Sequence, residues 1–169
     1  MAKRAKEAQA LIPEVAARAA DDPHHFVFDM DRGIRDQVKQ KLENSPLVPL
    51  EKGVAPNQSG IYALYRNDVL VYVGKATKEF TKSKRTLRGR LNEHCDKISS
   101  RENITLDEMQ CRYLTFDSEW WVFAAELALI PVYTPEWNGS GFGSKVPGKG
   151  RPGTERVSLW DRTFPPKEI

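Results

Sequence analysis

No run of the chain approaches the roughly 20 apolar residues that a membrane-spanning helix needs, so nothing in the sequence points to a bilayer. A secretory leader is not expected either, because MAKRAKEAQALIPEVAARAA begins basic but Glu7, Pro13 and Glu14 interrupt the apolar stretch such a signal requires. Cysteine is scarce. Cys95 and Cys111 have no metal-site spacing and are too few for a disulfide framework, which suits a reducing cytosol and two buried thiols. No internal repeat occurs, and the glycines of NGSGFGSKVPGKGRPG (138–153) match neither the P-loop nor the dinucleotide fingerprint. Charge of one sign is in small excess: a net charge of +3 and a pI near 8.8 permit an acidic partner such as nucleic acid without demanding one.

What is present is an ordinary composition, 40% hydrophobic and 29% charged over 169 residues, enough to bury one core. A weakly amphipathic helix is expected over residues 4–20 and a second over 32–44, ended by Ser45-Pro46. The connector PLVPLEKGVAPN then leads to the first strand and places a boundary near residue 52, with an N-terminal helical arm and connector over 1–52 and a single domain over 53–169. Residues 138–153 form a glycine-rich basic loop.

The segment GIYALYRNDVLVYVGKA carries strand-like runs at 60–65 and 69–73 around Arg66-Asn67-Asp68, which reads as a hairpin. A three-residue loop would set Tyr62 directly opposite Tyr72 on one face, whereas a two-residue turn at Asn67-Asp68 would put them on opposite faces. A functional pair of phenols therefore predicts the longer loop or an equivalent bulge; otherwise the tyrosines simply suit a half-buried strand.

Residues 78–90 hold Lys78, Lys82, Lys84, Arg85, Arg88 and Arg90 against one acid, Glu79, a run that is either a solvated face or a phosphate-binding one. From Thr86 as N-cap a helix runs to about Ser100 with Leu87, Leu91 and Ile98 inward. Arg90 and His94, four apart, share one of its faces, while Arg88 points elsewhere. An arginine fork beside an imidazole and two phenols makes a phosphodiester-binding and proton-handling group. Further on, DSEWWVFAAELALIPVY is a helix capped by Asp117 or Ser118 and apolar on nearly every side, so Glu126 within it needs an arginine partner or a cation.

Gly60-Ile61-Tyr62, Tyr72-Val73-Gly74, Arg90, His94 and Glu126 stand in the order of the GIY-YIG nucleases, which residues 57–140 resemble, with valine for isoleucine in the second triplet as a harmless departure. The histidine after Arg90, Asn138 twelve residues beyond Glu126, and the lead-in VPLEKGVAPNQSG resemble the type II restriction endonucleases, most of all the subgroup that cuts CCGCGG as a homodimer. The excision-repair nuclease has a hairpin similar to YVGKA, but within a long multidomain chain for which there is no room here.

The resemblance implies a small α/β (α+β) domain, a mainly antiparallel three-stranded sheet built from the hairpin and CRYLTF (111–116) with helices packed on it. The tail VSLWDRTFPPKEI would add a strand or cover an edge, with Trp160 and Phe164 as packing groups. In the implied chemistry Tyr62, assisted by His94, takes the proton of the attacking water, while Tyr72 and Arg90 hold the non-bridging oxygens. Glu126 binds a single Mg²⁺, with Mn²⁺ as a substitute, and Asn138 positions the metal shell or the DNA. Lys75 is a further DNA-binding candidate that, with Arg90 and the metal, eases ionisation of the phenol; Lys82, Lys84 and Arg85 suit phosphate contacts; Lys145, Lys149 and Arg151 suit guanine edges.

The first expectation is thus a Mg²⁺-dependent type II restriction enzyme acting on double-stranded DNA at a GC-rich palindrome. It would be a cytoplasmic, nucleoid-associated protein of a bacterium or phage, with a companion methyltransferase protecting the same site. A nicking or structure-specific nuclease of repair or a mobile element comes second. An inactive DNA-binding module comes last, because Arg90 and Glu126 are both present.

Overall fold

The computed structural model describes residues 31–78, 85–143 and 157–168; the helix expected over 4–20 lies outside them. A wide turn, Asp31–Arg35, leads into α1 (Asp36–Glu43), which falls within the expected 32–44 and is followed by Ser45, whose hydroxyl donates to the Leu42 carbonyl at 2.7 Å. The connector contributes a short strand, β1 (Val48–Pro49), so the sheet has four strands and not only the three expected. Pro49 lacks an N–H and is tolerated there because β1 is an edge strand.

The remaining strands are β2 (Gly60–Arg66), β3 (Val69–Ala76) and β4 (Met109–Thr115), in the order β1-β4-β2-β3 with every pairing antiparallel. Helix α2 (Leu87–Ser99) starts at Thr86, whose hydroxyl accepts from the Gly89 amide at 3.1 Å. Helix α3 (Glu119–Tyr133) follows Ser118, and the tail forms a short helix, α4 (Leu159–Thr163), in place of the strand considered above. Trp160 and Phe164 are buried in the core.

Helices cover both faces of the sheet. One core joins Leu87, Leu91, Cys95 and Ile98 of α2 to Tyr62, Leu64 and Tyr72 and to Trp137, Phe142, Trp160 and Phe164. The other joins Leu42 of α1 and Val122, Ala125 and Leu129 of α3 to Ile61, Ala63 and Val73. Being central and covered twice, β2 shows no polar alternation: its first five residues are all buried.

The hairpin solves its register problem with a bulge. The turn has two residues, Asn67 and Asp68, both at positive φ (48° and 65°), with Arg66 paired to Val69. A register shift between Leu64 and Tyr65 then pairs Leu64 with Tyr72 and Tyr62 with Gly74. The phenols are therefore diagonal neighbours on one face and not directly opposed, with ring centroids 6.0 Å apart.

Gly74 makes this possible, since a Cβ there would lie 2.6 Å from the Tyr62 hydroxyl and 2.7 Å from the Tyr72 ring. We expect Gly74→Ala to lower stability by about 1–3 kcal/mol through overpacking and to displace both phenols; chemical denaturation measures the first, and unchanged stability would show that the rings move aside without cost.

Candidate active site

The site is built around the edge strand β3 from both faces of the sheet. From the α2 face come Tyr62, Tyr72, Arg90 and His94. From the α3 face come Lys75, which pairs with Ile61, and Glu126. They converge on a cavity of about 240 Å³ lined by Tyr72, Lys75, Arg85, Arg90, Glu126 and Gly143. A larger groove of about 700 Å³ between α1 and the end of β4 is lined by groups such as Gln37, Lys41 and Tyr113, with no carboxylate or imidazole, and lacks this chemistry.

Behind the cavity wall, Tyr62 has no exposed surface and its hydroxyl lies 2.7 Å from His94 Nε2. Burial, reinforced by the positive charges of Arg90, Lys97 and Arg85, holds the imidazole well below its usual range. His94 is therefore neutral at pH 7, and one proton is shared across this contact: the phenol donates to Nε2 when the imidazole proton sits on Nδ1. Burial pushes the Tyr62 phenol upward, Tyr72 adds to that effect and the Arg90 guanidinium opposes it. Tyr72 is pushed up by burial as well, again against Arg90. It is the phenol that reaches the cavity.

At the mouth, Glu93 bridges two arginines, accepting from Arg85 Nε at 2.9 Å and from Arg90 Nη1 at 2.8 Å. This acid was missed in the sequence although it lies three residues beyond Arg90, a spacing at which helical side chains meet. Arg88 faces away and donates to the Ala55 carbonyl at 2.9 Å.

Glu126 is ion-paired with Lys75, a lysine where an arginine partner had been considered, and the Lys75 ammonium also lies 4.7 Å from the centroid of the Phe123 ring. Among the described residues no group of three or more His, Cys, Asp or Glu gathers to hold a metal. A hard cation would thus be held by the single Glu126 carboxylate, waters and a substrate phosphate, which is the usual pattern for Mg²⁺. The Lys75 ammonium already demonstrates that this carboxylate takes a positive partner, so the donor set fits such an ion.

Asn138 engages a different group. Its side-chain amide pairs with both backbone groups of Val73, accepting from N–H at 2.9 Å and donating to the carbonyl at 2.8 Å. With the Trp137 amide on the Val71 carbonyl at 2.8 Å, it covers the outer edge of β3 just before the cavity opens at Lys75. Lys82, Lys84, Lys145, Lys149 and Arg151 lie outside the described residues.

The antiparallel sheet thus gathers two diagonal phenols, the imidazole and guanidinium of one helix and the carboxylate of another in the chain's GIY-YIG nuclease domain. A family model, the Eco29kI GIY-YIG domain, matches residues 58–169, and the chain belongs to that family. No curated protein matches it. Among solved structures, it is similar to the magnesium-bound GIY-YIG N-terminal endonuclease domain of UvrC from Thermotoga maritima, at 22% identity over 61% of this chain and 97% of that one with a TM-score of 0.35. An asparagine-to-alanine variant of the same domain gives 19% identity over 65% and 98% with a TM-score of 0.36. Among the described residues no helix is long and apolar enough to cross a membrane.

Two outcomes follow from the electrostatics. Because the folded-state pKa of His94 lies below the ordinary 6.5, the unfolded chain binds more protons between those values, and stability falls as pH drops through that window. Urea unfolding at about pH 5 and about pH 7.5 is expected to show this, with His94→Gln removing a slope of up to about 1.4 kcal/mol per pH unit; an identical slope in the variant would mean that His94 titrates normally. Glu93→Gln, by releasing Arg85 and Arg90, is expected to tighten DNA binding by about 2- to 5-fold at low salt, read by fluorescence anisotropy in EDTA.

Proposed function

We propose that this DNA endonuclease is a type II restriction enzyme that cuts both strands at a GC-rich palindrome, acting as a homodimer with Mg²⁺ in the cytoplasm. The observation that carries the reading is the buried Tyr62–His94 hydrogen bond behind an arginine-lined cavity, in a chain of the Eco29kI family. The family resemblance supplies the palindrome, the two-fold assembly and the companion methyltransferase.

In this reading the scissile phosphate enters the cavity and draws Arg90 and Arg85 away from Glu93, exchanging one anion for another. Moving Arg90 opens the way to the Tyr62 hydroxyl. Tyr72 and Arg90 then donate to the non-bridging oxygens, where negative charge grows as phosphorus becomes five-coordinate. The attacking water gives its proton to the Tyr62 oxygen while Tyr62 passes its own to His94 Nε2, so that no free phenolate is formed. An imidazolium beside Arg90 is unfavourable in the free protein. It becomes favourable only beside the transferring phosphate, which directs the stabilisation to the transition state.

Glu126 would hold the Mg²⁺, which supplies charge neutralisation at the phosphate and the leaving oxygen when bound. Lys75, released from the carboxylate, is then free to contact DNA. Asn138 supports the site by fixing the edge of β3 at Val73 and so the strand that carries Tyr72 and Lys75.

The test is incubation of the protein with a plasmid rich in GC palindromes, with Mg²⁺ or EDTA, beside Glu126→Ala. Discrete double-strand fragments are expected with Mg²⁺ alone, with the variant slower by roughly 100-fold or more. Nicks or smears would favour a repair or mobile-element nuclease, and tight binding without cleavage an inactive module.

A further inference from the structure

The face of α2 that carries Arg90 and His94 continues one turn further to Lys97. Lys97 is not extended into solvent. Its Nζ donates to the Phe142 carbonyl at 2.8 Å and to the Gly141 carbonyl at 3.4 Å, and lies 4.4 Å from the Trp160 ring centroid and 5.1 Å from that of Phe142. Burying an ammonium is costly, and here two carbonyls and two aromatic faces offset that cost.

The carbonyls it binds belong to the segment closing the site. Phe142 stacks on His94 with centroids 4.7 Å apart and an interplanar angle of 16°, and meets the Tyr72 ring edge-on at 5.1 Å. The next residue, Gly143, passes so close to Tyr72 that a Cβ there would fall 1.9 Å from its hydroxyl. Through one loop, Lys97 therefore reaches His94 of the buried phenol–imidazole pair and Tyr72, the phenol that reaches the cavity.

We propose that Lys97 is a positioning residue of the nuclease site, clamping the Gly141 and Phe142 carbonyls so that the Phe142 ring holds His94 in line with Tyr62 and Gly143 stays against Tyr72. Its effect on cleavage rests on the endonuclease reading above; the clamp itself does not.

The experiment uses the full chain with Lys97→Met and Lys97→Gln, two variants so that failure of one to fold leaves the other, and Lys97→Arg as the comparison that keeps the charge. NMR of the free protein reads the ring protons of His94, which lie against the stacked Phe142 ring and near those of Tyr62 and Tyr72. Single-turnover cleavage at saturating DNA with Mg²⁺ reads the rate, and anisotropy in EDTA reads DNA affinity. Met and Gln are expected to move the His94 signals toward those of a free imidazole and to slow cleavage by about 10- to 100-fold with affinity within about 2-fold. Lys97→Arg should keep the signals and most of the rate. Unmoved His94 signals in Met and Gln would overturn the proposal, as would an unchanged cleavage rate in both. Should the wild type cut no DNA, the functional reading fails while the NMR comparison still decides the clamp.

Discussion

The bulge between Leu64 and Tyr65 is the constraint from which the site follows. A tight turn at Asn67 and Asp68 is dictated locally, because both residues tolerate the left-handed region that a two-residue hairpin demands. Carried through without interruption, that turn would pair Tyr62 with Val73 and leave Tyr72 on the opposite face. One extra residue in β3 restores the parity. Both phenols then face α2, Tyr62 lies over the missing side chain of Gly74, and a helix whose Arg90 and His94 share a face can meet them.

Placing the chemistry at an edge strand gives it access to both faces of the sheet. Groups separated by the thickness of the sheet meet around β3, which is why Glu126 and Lys75 share a cavity with Tyr72 and Arg90. An open edge is also a liability, exposing unpaired backbone groups to other chains. Trp137 and Asn138 cover it with hydrogen bonds to Val71 and Val73, and the uncovered part is where the cavity lies. Charges in the free protein are neutralised locally, Glu93 by two arginines and Glu126 by Lys75. Each pair presents a cation that an incoming phosphate could recruit and a carboxylate that would then need another partner, so in the proposed reaction substrate and metal would complement each other's effect on the site.

Much of this was legible in the sequence because it is encoded over short spans. The triplets around Gly60 and Gly74, the cap at Thr86, the four-residue spacing of Arg90 and His94 and the isolated carboxylate at Glu126 are local patterns with local causes. The bulge was not locatable, since nothing in VLVY distinguishes the residue that will be skipped. Lys97 looked like any lysine in the last turn of a helix; only its encounter with the Gly141 and Phe142 carbonyls, 44 and 45 residues away, gives it meaning. The tail, expected to add a strand or cover an edge, hid its short helix for a similar reason. Ser158, which accepts from the Asp161 amide at 3.1 Å, caps a single turn that drives Trp160 into the aromatic core, and such a short helix has little periodicity to betray it.

The dryness of the Tyr62–His94 pair has a chemical consequence of its own. A phenol and an imidazole exposed to water would ionise near their ordinary values, and a phosphate would compete with water for each. Here burial raises one and lowers the other, so both are neutral at rest and joined by one proton between oxygen and nitrogen. Neutrality makes the pair inert toward ions that merely visit the cavity. In the proposed reaction, transfer would become favourable only when an anion held by Arg90 and Tyr72 stabilises the new imidazolium, so the same burial that makes tyrosine a poor base in isolation would tie its activation to a correctly seated phosphate.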